Sequence, residues 1–341
     1  MAGLVPDSYR WLVDLTGIDG DVIQGTQEIG RVASYRGGDE FFRIARTEAL
    51  FFLALSDAFT GNERKDALAL LQRLETGEGE DPDPANPLFI FTRATILMKY
   101  GRNDEALRTL EKYTIRPGDY PFYFLDYLTG KAKQNRLDPD ADRYLIRFLK
   151  NFGGVNYIKS AYLRLAWSSI LDGNPEKYRE YAAKVLTRGN TYMDVDNQAL
   201  REAGEKEMPD TILLRARLLS DGGYYDRALA EMLRVRPSGW MKTPKQNVEY
   251  PYRLARIYQE KGEDQKALDY FGVTLGRSEG LPYYFGGNAA LQSGLICEKN
   301  GDYRRAGYFY NRCLSLDFLE YKTGLDQKAR AGLKRIRKFL D

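Results

Sequence analysis

The sequence predicts an all-α fold made of repeated helix pairs, and three observations carry this prediction. Helical apolar patterns flank a glycine three times, at Gly223, Gly262 and Gly301, with a step of 39 residues. A small residue lies seven positions before each glycine, and an alanine lies five positions after it. Small side chains at these places let two helices approach closely, while the glycine gives the backbone freedom that ends the first helix. The small residues are Ala216, Ala255 and Gly294, and the alanines are Ala228, Ala267 and Ala306.

The same pattern extends upstream with less regularity. The stretch "IFTRATILMKYGRNDEALRTLEKY" places Gly101 between Ala94 and Ala106. Looser copies are centred near Asn62, around Gly130, and on Gly173. Together these stretches predict about seven helix pairs.

This spacing resembles the tetratricopeptide repeat (TPR), a helix-turn-helix unit of about 34 residues. The resemblance covers roughly residues 45–316 and is clearest in the last three copies. It implies a right-handed α-solenoid whose inner face binds other proteins. Two features depart from the family pattern: the longer step of 39 residues, and other residues at the place of the early Trp. Those residues are Ile90, Tyr162, Ile212 and Ala290.

The chain divides into three predicted parts. Residues 1–40 are expected to be an N-terminal helical segment packed on the array, and "GIDGDVIQG" within it is similar to the stretch before the repeats in little-studied bacterial TPR proteins. Residues 41–318 form the predicted solenoid, interrupted by the proline-rich acidic connector 76–87. Residues 319–341 form a predicted capping helix.

Two further helices are predicted outside the pair pattern. Within 190–208, "DVDNQALREA" indicates a short extra helix with an aspartate cap. The C-terminal stretch "DQKARAGLKRIRKFLD" is amphipathic and suits a solenoid cap, with a basic nucleic-acid contact as the alternative. Its predicted apolar side consists of Ala331, Leu333, Ile336 and Leu340.

The composition argues against most catalytic chemistry. The chain has no histidine, which excludes Ser-His-Asp catalysis and most catalytic zinc sites. Its two cysteines, Cys297 and Cys313, are predicted to be unpaired, buried and hydrophobic in character. The stretches "DPDAD" and "DVDNQ" lack the turn glycine of a calcium loop, so Pro139 is interpreted as a first-turn residue of a helix. No enzyme activity, metal or cofactor is predicted.

Charge and hydropathy restrict the partners and the compartment. The net charge of +3 is small for 341 residues, so no nucleic-acid partner is expected. No apolar run approaches the roughly 18–20 residues of a membrane span. The start lacks the features of a signal peptide, so a cytoplasmic protein is expected. We expect it to be a monomer or a weak oligomer. If the chain is a piece of a longer exported protein, the alternative is the periplasm or cell envelope.

The predicted inner face supplies candidate binding residues. In TPR proteins this face comes mainly from the first helix of each pair, at positions six and ten residues before the turn. Cations and aromatic rings alternate along the middle of that row, which would suit an extended peptide with carboxylates. Ordinary packing between repeats is the alternative for each residue. The candidates are Tyr127, Lys131, Trp167, Arg217, Tyr252 and Arg256.

Three functional hypotheses follow. The leading one is a non-enzymatic protein-protein interaction scaffold that binds an extended, acidic peptide segment. The second is a cell-envelope assembly factor, if the chain is a fragment of an exported protein. The third is an enzyme subunit that works through carboxylates with Lys131 or Arg256.

Overall fold

The computed structural model contains helices throughout the part of the chain that it describes. That part comprises residues 22–35, 37, 40–60, 86–115, 118, 121–205, 207–235, 241–318 and 320–339. Within these ranges the chain forms sixteen α-helices and one short 3-10 helix, and no β-strand. The all-α prediction is confirmed there. None of the described helices is both long and apolar enough to cross a bilayer.

The chain divides into two compact units. Unit 1 comprises 1–133 and 140–153, and unit 2 comprises 134–139 and 154–341. The described helices of unit 1 are α1 (Val22–Ser34), α2 (Glu40–Thr60), α3 (Pro87–Lys99), α4 (Asn103–Leu110), α5 (Phe124–Arg136), whose last residues belong to unit 2, and α6 (Ala141–Asn151). Those of unit 2 are α7 (Ile158–Leu171), α8 (Pro175–Thr187), α9 (Asp194–Ala203), α10 (Thr211–Asp221), α11 (Tyr225–Leu233), α12 (Pro244–Glu260), α13 (Asp264–Arg277), α14 (Phe285–Lys299), α15 (Tyr303–Ser315) and α16 (Lys322–Ile336).

A single turn geometry recurs between paired helices. Five glycines predicted to end a first helix have a positive φ, between 69° and 82°. In each turn, the N–H after the glycine donates to the carbonyl five residues earlier, as in a Schellman cap. Three such bonds are Tyr224 to Leu219, Glu263 to Tyr258 and Asp302 to Cys297, at 2.8–2.9 Å. The five glycines are Gly101, Gly173, Gly223, Gly262 and Gly301.

The turn between α5 and α6 lacks the glycine. Leu137 takes the corresponding place with a φ of 66°, a conformation that leucine rarely adopts. The small residue seven positions earlier, Gly130, is retained, and a Cβ there would lie 2.7 Å from Leu145. Pro139 precedes α6, which begins at Ala141, so the prediction of Pro139 as a first-turn residue is wrong.

The extra helix is present as α9, but the predicted aspartate cap is wrong. The N-cap residue is Met193, which offers no side-chain acceptor. Asp196, inside α9 and fully buried, accepts hydrogen bonds from the N–H groups of Tyr157 and Ser160 at 2.6 and 3.0 Å. It therefore satisfies the start of α7 instead of its own helix.

The C-terminal helix packs on α14 and α15 through a face that differs from the predicted one. Ala331 is exposed and Leu333 half-buried, whereas Ile336 is fully buried as predicted. The buried stripe is Leu325, Ala329, Gly332 and Ile336. Gly332 is buried because this face meets the ring of Tyr310, where only a glycine fits.

Some predictions lie outside the described residues. These are Leu340, residues 1–21 with the first five residues of "GIDGDVIQG", the second helix near Asn62, and residues 76–85 of the predicted connector. Asn86 itself caps α3 by accepting from the N–H of Leu88 at 2.9 Å, with Pro87 at the first helical position. Both cysteines are buried and free, as predicted.

Candidate functional site

Successive first helices of unit 2 place the predicted residues at equivalent positions. Trp167, Arg217 and Arg256 each lie six residues before a turn glycine, on α7, α10 and α12. The structure brings the first two into contact, with the guanidinium of Arg217 4.8 Å from the ring centroid of Trp167. This distance is that of a cation–π pair.

Arg217 is paired within the chain by Glu202 of the extra helix α9. Its Nη1 donates to both carboxylate oxygens, at 3.0 and 3.1 Å, and 19% of its side chain is exposed. Burial opposes the charge of Arg217, but Glu202 together with Asp221 and Glu249 raises the guanidinium pKa above its usual value. Burial likewise opposes the charge of Glu202, but Arg217 and a hydrogen bond from Gln198 hold its pKa below the usual range. Both groups therefore stay ionised at neutral pH.

Arg256 is held by neighbours on its own helix. Its Nη1 donates to Gln259 at 2.6 Å and its Nη2 to Glu260 at 3.0 Å. The side chain keeps about a third of its surface in solvent, 31%. It is thus a surface cation with a partner that water can replace.

Tyr252 anchors a chain of amide hydrogen bonds between α12 and α14. Its hydroxyl accepts from Asn288 at 2.9 Å, Asn288 accepts from Gln292 at 3.1 Å, and Gln292 accepts from Gln259 at 2.9 Å. Only 4% of Tyr252 is exposed, and its ring packs 5.1 Å from that of Phe285.

The other two predicted residues belong to unit 1. Tyr127 is 2% exposed, and its ring lies 5.4 Å from those of Phe124 and Phe148. Lys131, one turn further along α5, is half-buried.

The three predicted aromatic residues therefore all pack against the chain itself. Trp167 resembles Tyr127 and Tyr252 in this respect, with 4% of its surface exposed. It shares a buried cluster with Leu163 and with Ala199 of the extra helix. A role for these rings in holding an external peptide stays a prediction.

Charged residues that the sequence analysis did not select surround Arg217. They come from α9 and the residues just after it, from α12 and from the segment before α16, and they form opposite-charge pairs. The pairs are Lys245 with Glu205, Arg253 with Glu249 at 2.7 Å, and Arg201 with Glu320 at 3.9 Å. Burial raises the pKa of Glu320 and of the neighbouring Tyr284 hydroxyl. No local sequence signal marks the pair of Lys245 and Glu205 or the pair of Arg201 and Glu320, because the partners are 40 and more than 100 residues apart. Arg253 and Glu249 lie four residues apart on one helix.

Arg164 is a second residue that the sequence analysis missed. It is 7% exposed, and its guanidinium lies 5.5 Å from the centroid of Trp167. Its Nη1 donates to Gln134 Oε1 at 2.9 Å. Gln134 is fixed in turn, since its Nε2 donates to the carbonyl of Arg164 at 2.7 Å and to Ser168 at 2.9 Å. Trp167 thus has two guanidinium groups near its ring, from Arg164 and Arg217.

No group of three or more Cys, Asp or Glu side chains among the described residues is placed to hold a metal ion. Burial raises the pKa of Cys313 to about 11 and also raises that of Cys297, so both thiols are protonated at neutral pH.

Comparison with known proteins found no match for this chain. No protein-family model matches the sequence, and no curated protein or solved structure matches it. The resemblance to tetratricopeptide repeats therefore depends on this chain's own recurring residues and turn geometry.

Proposed function

We propose that this protein is a non-enzymatic protein-protein interaction scaffold that binds an extended, acidic peptide segment along the first helices of unit 2. We also propose that its helix pairs are tetratricopeptide-like repeats of a right-handed α-solenoid. The recurring small residue, the left-handed glycine and the Schellman bond support the repeat assignment. In unit 1, Tyr127 and Lys131 are proposed to serve the same role on α5.

The observation that carries the proposal is the contact between equivalent positions of neighbouring pairs. Arg217 on α10 covers the ring of Trp167 on α7, and Arg256 holds the same place on α12. Residues at equivalent places along a repeat array form a row, and an extended peptide can follow such a row. The side chains of Arg217 and Arg256 keep 19% and 31% of their surface in solvent, which supports access by a ligand.

Binding at this row is an exchange of partners. Arg217 and Arg256 already have the carboxylates of Glu202 and Glu260, so a ligand carboxylate replaces an existing contact or shares the guanidinium with it. The more exposed pair, Arg256 with Glu260, contributes only about 0.2–1 kcal/mol. We therefore expect a ligand that makes several such contacts, with an affinity that falls as salt screens the charges.

A peptide-library selection tests the proposal with the full chain. We expect the selected sequences to be enriched in Asp and Glu, and we expect an Arg217→Gln, Arg256→Gln variant to bind them less tightly. The matched control is Arg179→Gln, Arg305→Gln, which removes two exposed cations from the second helices α8 and α15.

Three results would contradict the proposal. They are selected sequences without an acidic bias, an equal loss in both double variants, and no loss in either. Circular dichroism and thermal melting of the variants confirm that any loss is local.

A further inference from the structure

Arg164 on α7 has a guanidinium edge, Nε and Nη2, that makes no hydrogen bond in the described chain. Its Nε is buried and has no hydrogen-bond partner. Its Nη2 also makes no hydrogen bond there, and unlike Nε it is not sealed from solvent. No carboxylate of the described residues lies within ion-pair distance of it, and its recorded contacts are Gln134 and the ring of Trp167.

Elsewhere in this protein the same edge of the guanidinium holds a carboxylate. Arg335 is an example: its Nε and Nη2 donate to the two oxygens of Glu298 at 2.8 and 2.9 Å. Such side-on pairing is the geometry in which a planar guanidinium recognises a carboxylate. Four pairs of this kind are described, Arg102 with Glu105, Arg136 with Asp138, Arg147 with Asp126, and Arg335 with Glu298. In a fifth pair, the Nε and Nη2 of Arg253 both donate to one oxygen of Glu249.

Arg253 makes the contrast direct because it occupies the same place in its helix pair. Arg164 and Arg253 each lie nine residues before the turn glycine, and both cover an aromatic ring. Glu249 lies four residues before Arg253, and its Oε1 accepts hydrogen bonds from both Nε and Nη2 of Arg253. Four residues before Arg164 stands Ser160, so its own helix supplies no carboxylate there.

The local charge favours an anion at this place. A buried charge with neither counter-charge nor full hydrogen bonding is strongly unfavourable. The second guanidinium near Trp167, that of Arg217, adds to the positive potential, and the single carboxylate of Glu202 is committed to Arg217. Gln134 accepts a hydrogen bond from Nη1 only, so Nε and Nη2 are left without a hydrogen-bond partner in the described chain.

We propose that Nη2 of Arg164, the atom of this edge that solvent reaches, binds a carboxylate of the peptide ligand beside Trp167. The inference deepens the proposed function and rests on it for the source of that carboxylate, which is either an acidic side chain or a peptide C-terminus. Arg164 is then the residue that selects an acidic ligand, while Arg217 and Arg256 exchange partners around it.

Calorimetric titration of the full chain with three short peptides tests the inference and separates the two sources. The probes are hexaglutamate with blocked ends, hexaglutamine with blocked ends, and hexaglutamine with a free C-terminus. Binding of blocked hexaglutamate identifies a side-chain carboxylate as the ligand group, and binding of free-ended hexaglutamine identifies a C-terminal one. We expect Arg164→Met to weaken binding of the probe that binds wild type about ten- to a hundred-fold, as for loss of a charged hydrogen-bond pair. Arg179→Met is the matched control, since it removes an exposed cation from α8. Equal affinities for wild type, Arg164→Met and Arg179→Met would overturn the inference and leave the scaffold proposal intact.

A second measurement distinguishes failure of the inference from failure of the scaffold proposal. Sodium acetate, compared with sodium chloride at equal ionic strength, should raise the melting temperature of wild type more than that of Arg164→Met. If no peptide binds but acetate gives this difference, the carboxylate site stands and the peptide scaffold fails. If acetate acts equally on both proteins and no peptide binds, both fail.

Should Arg164→Met not fold, Arg164→Lys keeps the charge and the stem but lacks the planar edge. The NMR spectrum of this variant lacks the Nε–H signal of Arg164. Comparison with the wild-type spectrum therefore assigns that signal. Addition of acetate should shift the assigned signal, and an unchanged signal would overturn the inference.

Discussion

Asp196 caps a helix other than its own. The first N–H groups of a helix have no partner within it, and a nearby side-chain oxygen normally satisfies one of them. In α7 the oxygens come from α9, across 36 to 39 residues, to the N–H groups of Ser160 and Tyr157. Burial raises the pKa of Asp196, while the bonds from Ser160 and Tyr157 act to lower it. One buried carboxyl group thus joins the extra helix to the helix that carries Arg164 and Trp167.

Replacement of Asp196 should therefore destabilise the protein more than replacement of an ordinary surface aspartate. For Asp196→Ala we expect a loss of about 1–3 kcal/mol in the free energy of unfolding, because two N–H groups lose their acceptor in a buried place. The control is Asp194→Ala, which removes an exposed carboxylate from the first turn of the same helix and should cost about 0.3–1 kcal/mol. Urea denaturation of both variants measures the difference, and equal losses would show that the capping bonds contribute nothing beyond local helix electrostatics.

At the scale of the element, three helices meet on the ring of Tyr310. A Cβ added at Gly294 on α14 or at Gly332 on α16 would lie 2.5 Å from this ring, so both glycines are needed for the approach. The Tyr310 hydroxyl donates to Glu298, whose carboxylate also accepts the two bonds from Arg335 of α16. Those bonds from Arg335 hold the pKa of Glu298 below its usual range. The contact combines close packing with a charged pair, which explains how α16 packs on α14 and α15.

The close approach predicts a strong effect of a single methyl group. We expect Gly332→Ala to lower the free energy of unfolding by about 1–3 kcal/mol, because the buried ring must shift to admit the Cβ. Gly324→Ala is the control on the same helix, where a Cβ meets nothing within 4 Å. There the change should stabilise the helix by about 0.5–1 kcal/mol, since alanine is the better helix former. Thermal and chemical denaturation of the two variants should move in opposite directions, and similar destabilisation of both would exclude the packing explanation.

The helix pairs were predictable because each depends on local residues. Gly223, Gly262 and Gly301 mark turns in the sequence and have the expected left-handed backbone. The pair around Leu137 was harder to recognise. Leucine is unfavourable in the left-handed backbone conformation of that turn, so the sequence has no glycine there to mark it. The buried face of α16 was misassigned at Ala331 because a glycine, Gly332, and not a large apolar residue, meets Tyr310.

The candidate site was predictable only in part, for a different reason. The row of Trp167, Arg217 and Arg256 follows from the repeat spacing, so the sequence identifies it. Charge pairing is a property of tertiary structure, and the partner of Arg217 comes from the inserted helix α9. Arg164 looked like any other helix arginine, and its missing carboxylate became visible only when the neighbours of Nε and Nη2 were known.

Over the whole of unit 2, buried clusters follow one another along the chain. Each cluster joins neighbouring pairs: α7 and α8 with α9 and α10, α10 and α11 with α12, α12 and α13 with α14, and α14 and α15 with α16. We expect nearest-neighbour contacts to dominate here, as they do in repeat proteins, so that the stability of unit 2 is close to a sum of pair and interface contributions. A change at one end should then weaken the nearby pairs first.

Hydrogen exchange tests this nearest-neighbour behaviour, with Gly332→Ala as the perturbation. We expect faster exchange of the backbone amides of α14, α15 and α16, because the variant disturbs the cluster that contains Tyr310. The effect should decrease through α12 and α13 and be absent in α7 and α8, since local openings involve contiguous units and not the entire protein. Gly324→Ala serves as the control and should leave exchange in α14 and α15 unchanged. A uniform increase throughout unit 2 would contradict the model, because it would mean that these helices unfold as one cooperative body. In that case a ligand bound near Arg164 would stabilise α16 as strongly as α7, whereas the nearest-neighbour model confines its stabilising effect to α7, α9, α10 and the pairs beside them.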